Sequence, residues 1–307
     1  MPSLFIDKLK YSINSDGASV CVARQNRFVS GFVVIPSVVT YKEKEYTVSS
    51  IAISAFDGCQ DLTSITLPSS ILTIGDWAFA GCISLLQIVV DEDHPFFTVK
   101  NGALFDKEVH RLIAYPSGRD GKYYSIPESV TTIGVAAFDS CDNIASIILP
   151  NGLTTIENHA FGGCYRLYDI VLPPNLISIG KYAFYRCCSL RSVVIPSGVS
   201  LVDNYTFREC DNLSSVTIPE SVTEIGNNAF DSCVNLREFH IRHTVPTELF
   251  RYSYLGGLNR PFCTLYVPMG TKEDYIQSPL WSRFTRIREE EAEENETQIA
   301  YSDTQVI

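Results

Sequence analysis

The chain has 307 residues, is 45% hydrophobic, and carries a formal net charge of −11 from 24 basic and 35 acidic side chains. That balance argues against a nucleic-acid partner, because binding phosphates takes cationic surface. No run of roughly 18 apolar residues occurs, so no membrane-spanning helix is expected, and Met1–Lys10 lacks the basic stretch and apolar run of a secretory signal.

In chain order, residues 1–46 read as an N-terminal capping segment, with a hairpin-like alternation from Phe28 to Pro36. Residues 47–245 carry a repeat, with an irregular repeat at 91–125. Its markers are Cys59, Cys82, Cys141, Cys164, Cys187, Cys210 and Cys233, spaced by 23 residues except across the gap from Cys82 to Cys141. Each follows a phenylalanine by three positions: Phe56, Phe79, Phe138, Phe161, Phe184, Phe207 and Phe230. A fixed period of this length marks a solenoid in which each turn packs on its neighbours. Residues 246–288 read as a C-terminal capping segment, with Leu265–Pro268 as a last strand and a short helix or turn that brings Trp281 and Phe284 over the end of the core. Residues 289–307 form an acidic polar tail, with six acids between Glu289 and Glu296.

Within a turn, positions are counted from the cysteine. Apolar residues fall at plus three (Leu167, Leu190), plus six (Ile170, Val193) and plus eight (Leu172, Ile195). The last two share a face at strand periodicity. Proline at plus nine (Pro173, Pro196) ends the strand, since it has no N–H for a ladder. The return path buries aliphatics such as Leu176 and Ile179. A glycine follows in Gly75, Gly134, Gly180 and Gly226, where we expect a bend with positive φ. The Ala-Phe pair then fills the space between turns. The cysteines read as small buried hydrophobes and weak donors to backbone carbonyls, and as reduced thiols. The fold class expected from the spacing is a right-handed solenoid, with a parallel sheet on one face and short turns or irregular segments on the other.

No motif points to catalysis or to a cofactor. No cysteine pair has metal-ligand spacing. His240 and His243 face opposite sides at strand spacing. Asp91-Glu-Asp-His94 reads as a solvated turn, with a calcium site as the sharper alternative. Outward strand positions at plus five and plus seven are more informative. Val89, Ile148, Val171 and Val194 form an apolar stripe, flanked by Ser146, Asp169 and Ser192. Such a stripe marks an interaction surface; a sheet surface also suits β-branched residues for their own sake.

The repeat Cys-x-x-Leu-x-x-Ile-x-Leu-Pro followed by Ile-Gly-x-x-Ala-Phe is clearest from Cys164 to Phe184. The lead-in runs from Val34-Ile-Pro36 through Val39-Thr-Tyr-Lys-Glu-Lys-Glu-Tyr-Thr-Val48, and the close is Leu265-Tyr-Val-Pro-Met-Gly-Thr-Lys-Glu-Asp-Tyr275 with Trp281 and Phe284. Together these resemble the BspA-like leucine-rich-repeat family of bacterial proteins. The resemblance implies a leucine-rich-repeat solenoid and a surface antigen or adhesin that binds host or bacterial macromolecules, with a protein ligand such as a matrix or cell-surface protein. With the charge and the absence of catalytic or metal-ligand motifs, no enzyme activity, cofactor, metal or nucleic-acid partner is expected. The location implied is the cell surface or outside the cell, with the cytoplasm as the alternative because no signal is visible. The competing function is a carbohydrate-binding module or an enzyme using the 91–124 insertion. The chain departs from the pattern at Thr206-Phe207 and in the 59-residue step from Cys82 to Cys141.

Overall fold

The structure is a computed structural model and describes residues 3–246 and 262–290. It is a leucine-rich-repeat solenoid of stacked parallel strands with little helix. By contacts the chain divides into two compact units, Met1–Lys122 with Thr132–Asn143, and Tyr123–Thr131 with Ile144–Ile307.

The second unit shows the regular turn. Strands Ser192–Val194, Ser215–Ile218 and Glu238–Ile241 run parallel with equivalent positions in register: Ser192 beside Ser215 beside Glu238, and Val193 beside Val216 beside Phe239. The plus-six and plus-eight side chains are buried, as a core behind one sheet face requires. At the strand end the proline carbonyl accepts the N–H three residues on, as in Pro173 O from Leu176 N at 3.0 Å and Pro196 O from Val199 N at 3.0 Å. A second short strand follows, with Thr155–Ile156 beside Ser178–Ile179 and Leu201–Val202 beside Glu224–Ile225. The Ala-Phe segment closes the turn. Its rings stack at 5.1 Å (Phe161–Phe184), 5.2 Å (Phe184–Phe207) and 5.5 Å (Phe207–Phe230), close to the strand spacing of about 4.8 Å.

Two features bind one loop to the next. The phenylalanine N–H donates to the carbonyl preceding the next phenylalanine: Phe161 to Ala183, Phe184 to Thr206 and Phe207 to Ala229, each at 2.8 Å. The cysteine thiol reaches back to the previous phenylalanine carbonyl: Cys187 to Phe161 at 3.2 Å, Cys210 to Phe184 at 3.1 Å and Cys233 to Phe207 at 3.1 Å. That carbonyl already takes the N–H of its own turn's cysteine, as Phe184 O does from Cys187 N at 3.2 Å. The thiol therefore uses the second lone pair. All ten cysteines are free. Burial pushes Cys59 up to about 11, Cys233 and Cys263 up to about 12, and Cys187 and Cys210 well above the ordinary value.

The glycines play a different part from the one expected. Gly75, Gly134, Gly180 and Gly226 are absent from the positive-φ residues. They are needed for close approach: a Cβ on Gly180 would lie 2.6 Å from Asn158 N, on Gly226 2.5 Å from Asn204 N, and on Gly75 2.4 Å from Ile53 N. The left-handed positions lie elsewhere in the loop and hold side chains as well as glycines, the latter being Gly58, Gly81 and Gly163 just before the cysteine. The side chains sit five residues before the cysteine (His159, φ 58°; Tyr182, φ 58°; Tyr205, φ 61°) and one before it (Arg186, φ 58°; Glu209, φ 59°). Each side chain there costs about 1–2 kcal/mol of local preference, which the ladder between loops offsets.

The first unit opens on antiparallel strands Ser3–Ile6, Leu9–Ile13 and Ser19–Val22, the last parallel to Lys44–Ile51. Tyr11, Val20, Val22 and Val48 bury beneath them. The alternation from Phe28 to Pro36 is not a hairpin. Gly31–Val34 is the first parallel strand of a sheet that continues through Leu62–Leu67 to Gln87–Val90. In the irregular segment, Phe97–Lys100 and Ala103–Asp106 form a hairpin, and Arg111–Ala114 joins it antiparallel while running parallel to Thr132–Ile133. Tyr115 stacks on Phe138 at 5.2 Å, in the place of a ladder phenylalanine. Gly118 stands where a cysteine belongs, three residues after Tyr115 and 23 before Cys141. Tyr124, Ile126 and Pro127 then fall at plus six, plus eight and plus nine. The long gap is thus one extended turn of 36 residues followed by one ordinary turn without its cysteine.

In the second unit the chain ends on Thr264–Pro268, helix Lys272–Gln277, a 3-10 turn at Trp281–Arg283 and strand Arg286–Glu290. Trp281 and Phe284 are buried and pack near Phe239 at 6.4 and 6.2 Å. Glu289 and Glu290 belong to that strand, where Glu290 pairs with His240 and Arg242. Residues 247–261 of the C-terminal capping segment and 291–307 of the acidic tail lie outside the described residues.

Gly180→Ala is expected to lower stability by about 1–3 kcal/mol, the range for overpacking. Gly152→Ala, whose Cβ would meet only Glu128 O at 3.7 Å, should stay within about 0.5 kcal/mol. Urea denaturation of both variants checks this; equal losses would refute the close-approach role.

Iodoacetamide at pH 8 should alkylate the half-buried Cys21 and Cys188 first and reach the other eight thiols only after unfolding. Fewer than ten free thiols in the denatured, unreduced protein would contradict this reading.

Burial holds His94 and His243 below their ordinary value of 6.5. Above pH 6.5 both are neutral folded and unfolded; as pH falls below it the unfolded chain takes up protons first, so stability falls. The urea midpoint should drop between about pH 6.5 and 5, and less steeply in a His94→Gln, His243→Gln variant. An identical slope in the variant would rule the two histidines out.

Candidate functional site

Strand positions at plus five and plus seven leave the core because their neighbours enter it. Ile148 and Val194 are 50% and 57% exposed, and Val171 is half-buried. Asp169 and Ser192 are exposed and Ser146 is half-buried. Register sets Tyr123 beside Ser146 beside Asp169, and Ser125 beside Ile148. Val194 belongs to the next sheet of the same unit and lies beside Thr217. Val89 lies in the first unit, beside Thr66, which is beside Val34. The structure therefore gathers Ser146, Ile148 and Asp169 into one sheet and holds Ser192 and Val194 in another.

Sequence reasoning missed the aromatic margin of this face. Tyr123 is exposed, and so is Tyr168. The Arg191 guanidinium lies over the Tyr168 ring at 5.8 Å. Tyrosine and arginine are the side chains most often dominant at protein interfaces. Tyr168 was legible at plus four, but Tyr123 was hidden by the turn that lacks its cysteine. Phe32 and Val34 of the first unit were missed too; they are 83% and 68% exposed on the edge strand Gly31–Val34.

The loop side of the second unit offers less. Tyr182 and Tyr205 stack on each other at 4.6 Å, so their faces are turned inward along the row. Arg186 pairs with Glu209 at 2.7 Å and Arg208 with Asp231 at 3.1 Å. Exposed pairs of this kind contribute about 0–1 kcal/mol each.

His94 is buried, its Nε2 3.1 Å from Pro68 O while Nδ1 accepts the Phe96 and Phe97 N–H groups. Asp91, Glu92 and Asp93 are exposed. Among the described residues no group of three or more His, Cys, Asp or Glu side chains is arranged to hold a metal ion, and no helix is long and apolar enough to cross a membrane. A cavity of about 260 Å³ does open in the first unit, lined by Asp76, Asp106 and Asp139 rather than by Asp91 and Asp93.

Among solved structures, a leucine-rich repeat protein from Eubacterium ventriosum superposes with a TM-score of 0.55 at 18% identity, over 79% of this chain and 87% of that one. The pneumococcal vaccine antigen PcpA superposes with a TM-score of 0.55 at 18% identity, over 95% and 99%. At that identity the likeness is one of fold. No curated protein matches the chain. The BspA type leucine rich repeat pattern matches residues 39–108 and 122–255 in six copies. With more than half of its length matched by that pattern, the chain belongs to the BspA type leucine-rich-repeat family.

Proposed function

We propose that the chain is a non-enzymatic recognition module that docks a protein partner on the strand face of its second unit and works at the cell surface. The observation that carries this reading is the run of outward apolar side chains, Ile148, Val171 and Val194, on a surface whose alternate positions fill the core. Ser146, Asp169 and Ser192 give it a polar margin, and Tyr123, Tyr168 and Arg191 supply amphipathic anchors. An apolar centre with a polar rim is the layout of protein interfaces. Val89 with Val34 offers the first unit a smaller surface of the same kind. The surface location and the protein ligand, a matrix or cell-surface protein, rest on the family. A sugar-binding or enzymatic role centred on Asp91 and Asp93 has less support, since both are exposed turn residues.

The partner is sought by surface plasmon resonance against matrix proteins and bacterial surface components. The Val171→Asp, Val194→Asp variant should keep its urea midpoint, because both side chains point outward, and should lose at least tenfold in affinity, because its charges would be desolvated without partners. A folded double variant with unchanged affinity would move the site off this face.

A further inference from the structure

Five ladder aromatics pass one backbone hydrogen bond forward. The N–H of the ladder aromatic donates to the carbonyl just before the next one: Phe56 to Ala78 at 2.8 Å, Tyr115 to Ala137 at 2.7 Å, and Phe161, Phe184 and Phe207 onward at 2.8 Å. Phe79 breaks the series. Among the described residues its N–H finds no acceptor. Two residues on, Gly81 N–H donates to the Asp139 carboxylate at 3.0 Å, where Gly58 and Gly163 reach a next-turn carbonyl at 2.8 and 2.7 Å.

The cause is the extended turn. On its strand side the stack stays closed, with Gly118 N donating to Leu85 O at 2.9 Å and Ser117 Oγ to Cys82 O at 2.7 Å. On the loop side Tyr115 stacks forward onto Phe138. The cavity of about 260 Å³ opens there, walled by Trp77, Phe79 and Phe97. Three carboxylates, Asp76, Asp106 and Asp139, line it against one guanidinium, Arg111. One Asp106 oxygen is committed to the His110 and Arg111 N–H groups, and one Asp139 oxygen to Gly81. Asp76 is exposed at the rim.

We propose that this cavity binds a peptide segment of a partner protein, a small residue followed by an aromatic and a basic one, in the place of the rung that the insertion removes. The peptide carbonyl before the aromatic accepts from Phe79 N–H, as Ala78 O does from Phe56 N–H. Its ring lies against Phe79, as Phe79 lies against Phe56 at 6.0 Å and 9°. Its basic side chain meets Asp76. Backbone bonding gives such a site affinity and the side-chain contacts give it specificity, as in strand addition to a sheet. Every Ala-Phe pair of this chain is buried in its own ladder and none is followed by a basic residue, so an Ala-Phe-Lys segment comes from another protein. The site is separate from the strand face of the proposed function, so either can fail alone.

The test uses the whole chain and three probes: acetyl-Ala-Phe-Lys-amide, acetyl-Ala-Ala-Lys-amide and acetyl-Ala-Phe-Glu-amide. Binding is followed by Trp77 fluorescence, Trp281 being buried in the second unit, and by residue-resolved amide exchange. The first probe should bind saturably, and the other two at least fivefold more weakly. The Phe79 amide should exchange freely in the unliganded protein and slow at least tenfold on binding, while Phe56 and Phe184 are slow throughout. Asp76→Asn should weaken the lysine probe and leave Phe79 exchange in the free protein unchanged. Val171→Asp, Val194→Asp should bind the first probe as the parent does. Absence of saturable binding at millimolar probe, a Phe79 amide already protected without ligand, or binding that leaves its exchange unchanged would each overturn the proposal.

Discussion

The stack depends on backbone lying directly against backbone where one loop meets the next. Gly180 and Gly226 leave no room for a Cβ there, and the phenylalanine N–H reaches across at 2.8 Å to the following loop. That approach sets the ring spacing, brings each buried thiol to the carbonyl of the turn before it, and holds His159, Tyr182 and Tyr205 at positive φ. A larger residue at the glycine would separate all of these at once, which is why a small change there propagates through a fold whose turns see only their neighbours.

The same constraint divides the surfaces by use. Loops that are packed backbone to backbone have little freedom to vary, and their exposed charges pair with one another, as Arg186 and Arg208 do with Glu209 and Asp231. The strand face has freedom, because every second side chain there leaves the core. Ile148, Val194 and Tyr123 occupy those positions without cost to packing. The extended turn is the exception on the loop side: there an insertion holds two loops apart, and the result is a cavity with an unused donor instead of a closed rung.

The repeat and its core positions were legible because cysteine, phenylalanine and aliphatics recur at a fixed spacing and each has one physical use. The role of the glycines was not, because glycine after an aliphatic fits a left-handed bend and a close approach equally well; the absence of positive φ and the 2.6 Å that a Cβ on Gly180 would leave to Asn158 N separate them. The turn through Tyr115, Gly118 and Tyr124 was hidden because it carries neither marker residue. Its tyrosine does the work of the phenylalanine, and its glycine lies so close to Ser84 that a cysteine could not stand there, a Cβ falling 2.5 Å from the Ser84 backbone. The outward valines were readable as outward, but the division of their strands among separate sheets was not, since register depends on pairing that no single turn encodes.

The central claim is that the loops are joined by a periodic backbone ladder. Native-state amide exchange across the whole chain tests it most directly. The account predicts slow amides at Phe56, Phe161, Phe184 and Phe207, the last three recurring at the 23-residue period, each much slower than the exposed loop amides beside it. Protection confined to the strands, with the phenylalanine amides exchanging as freely as the exposed loops, would contradict it.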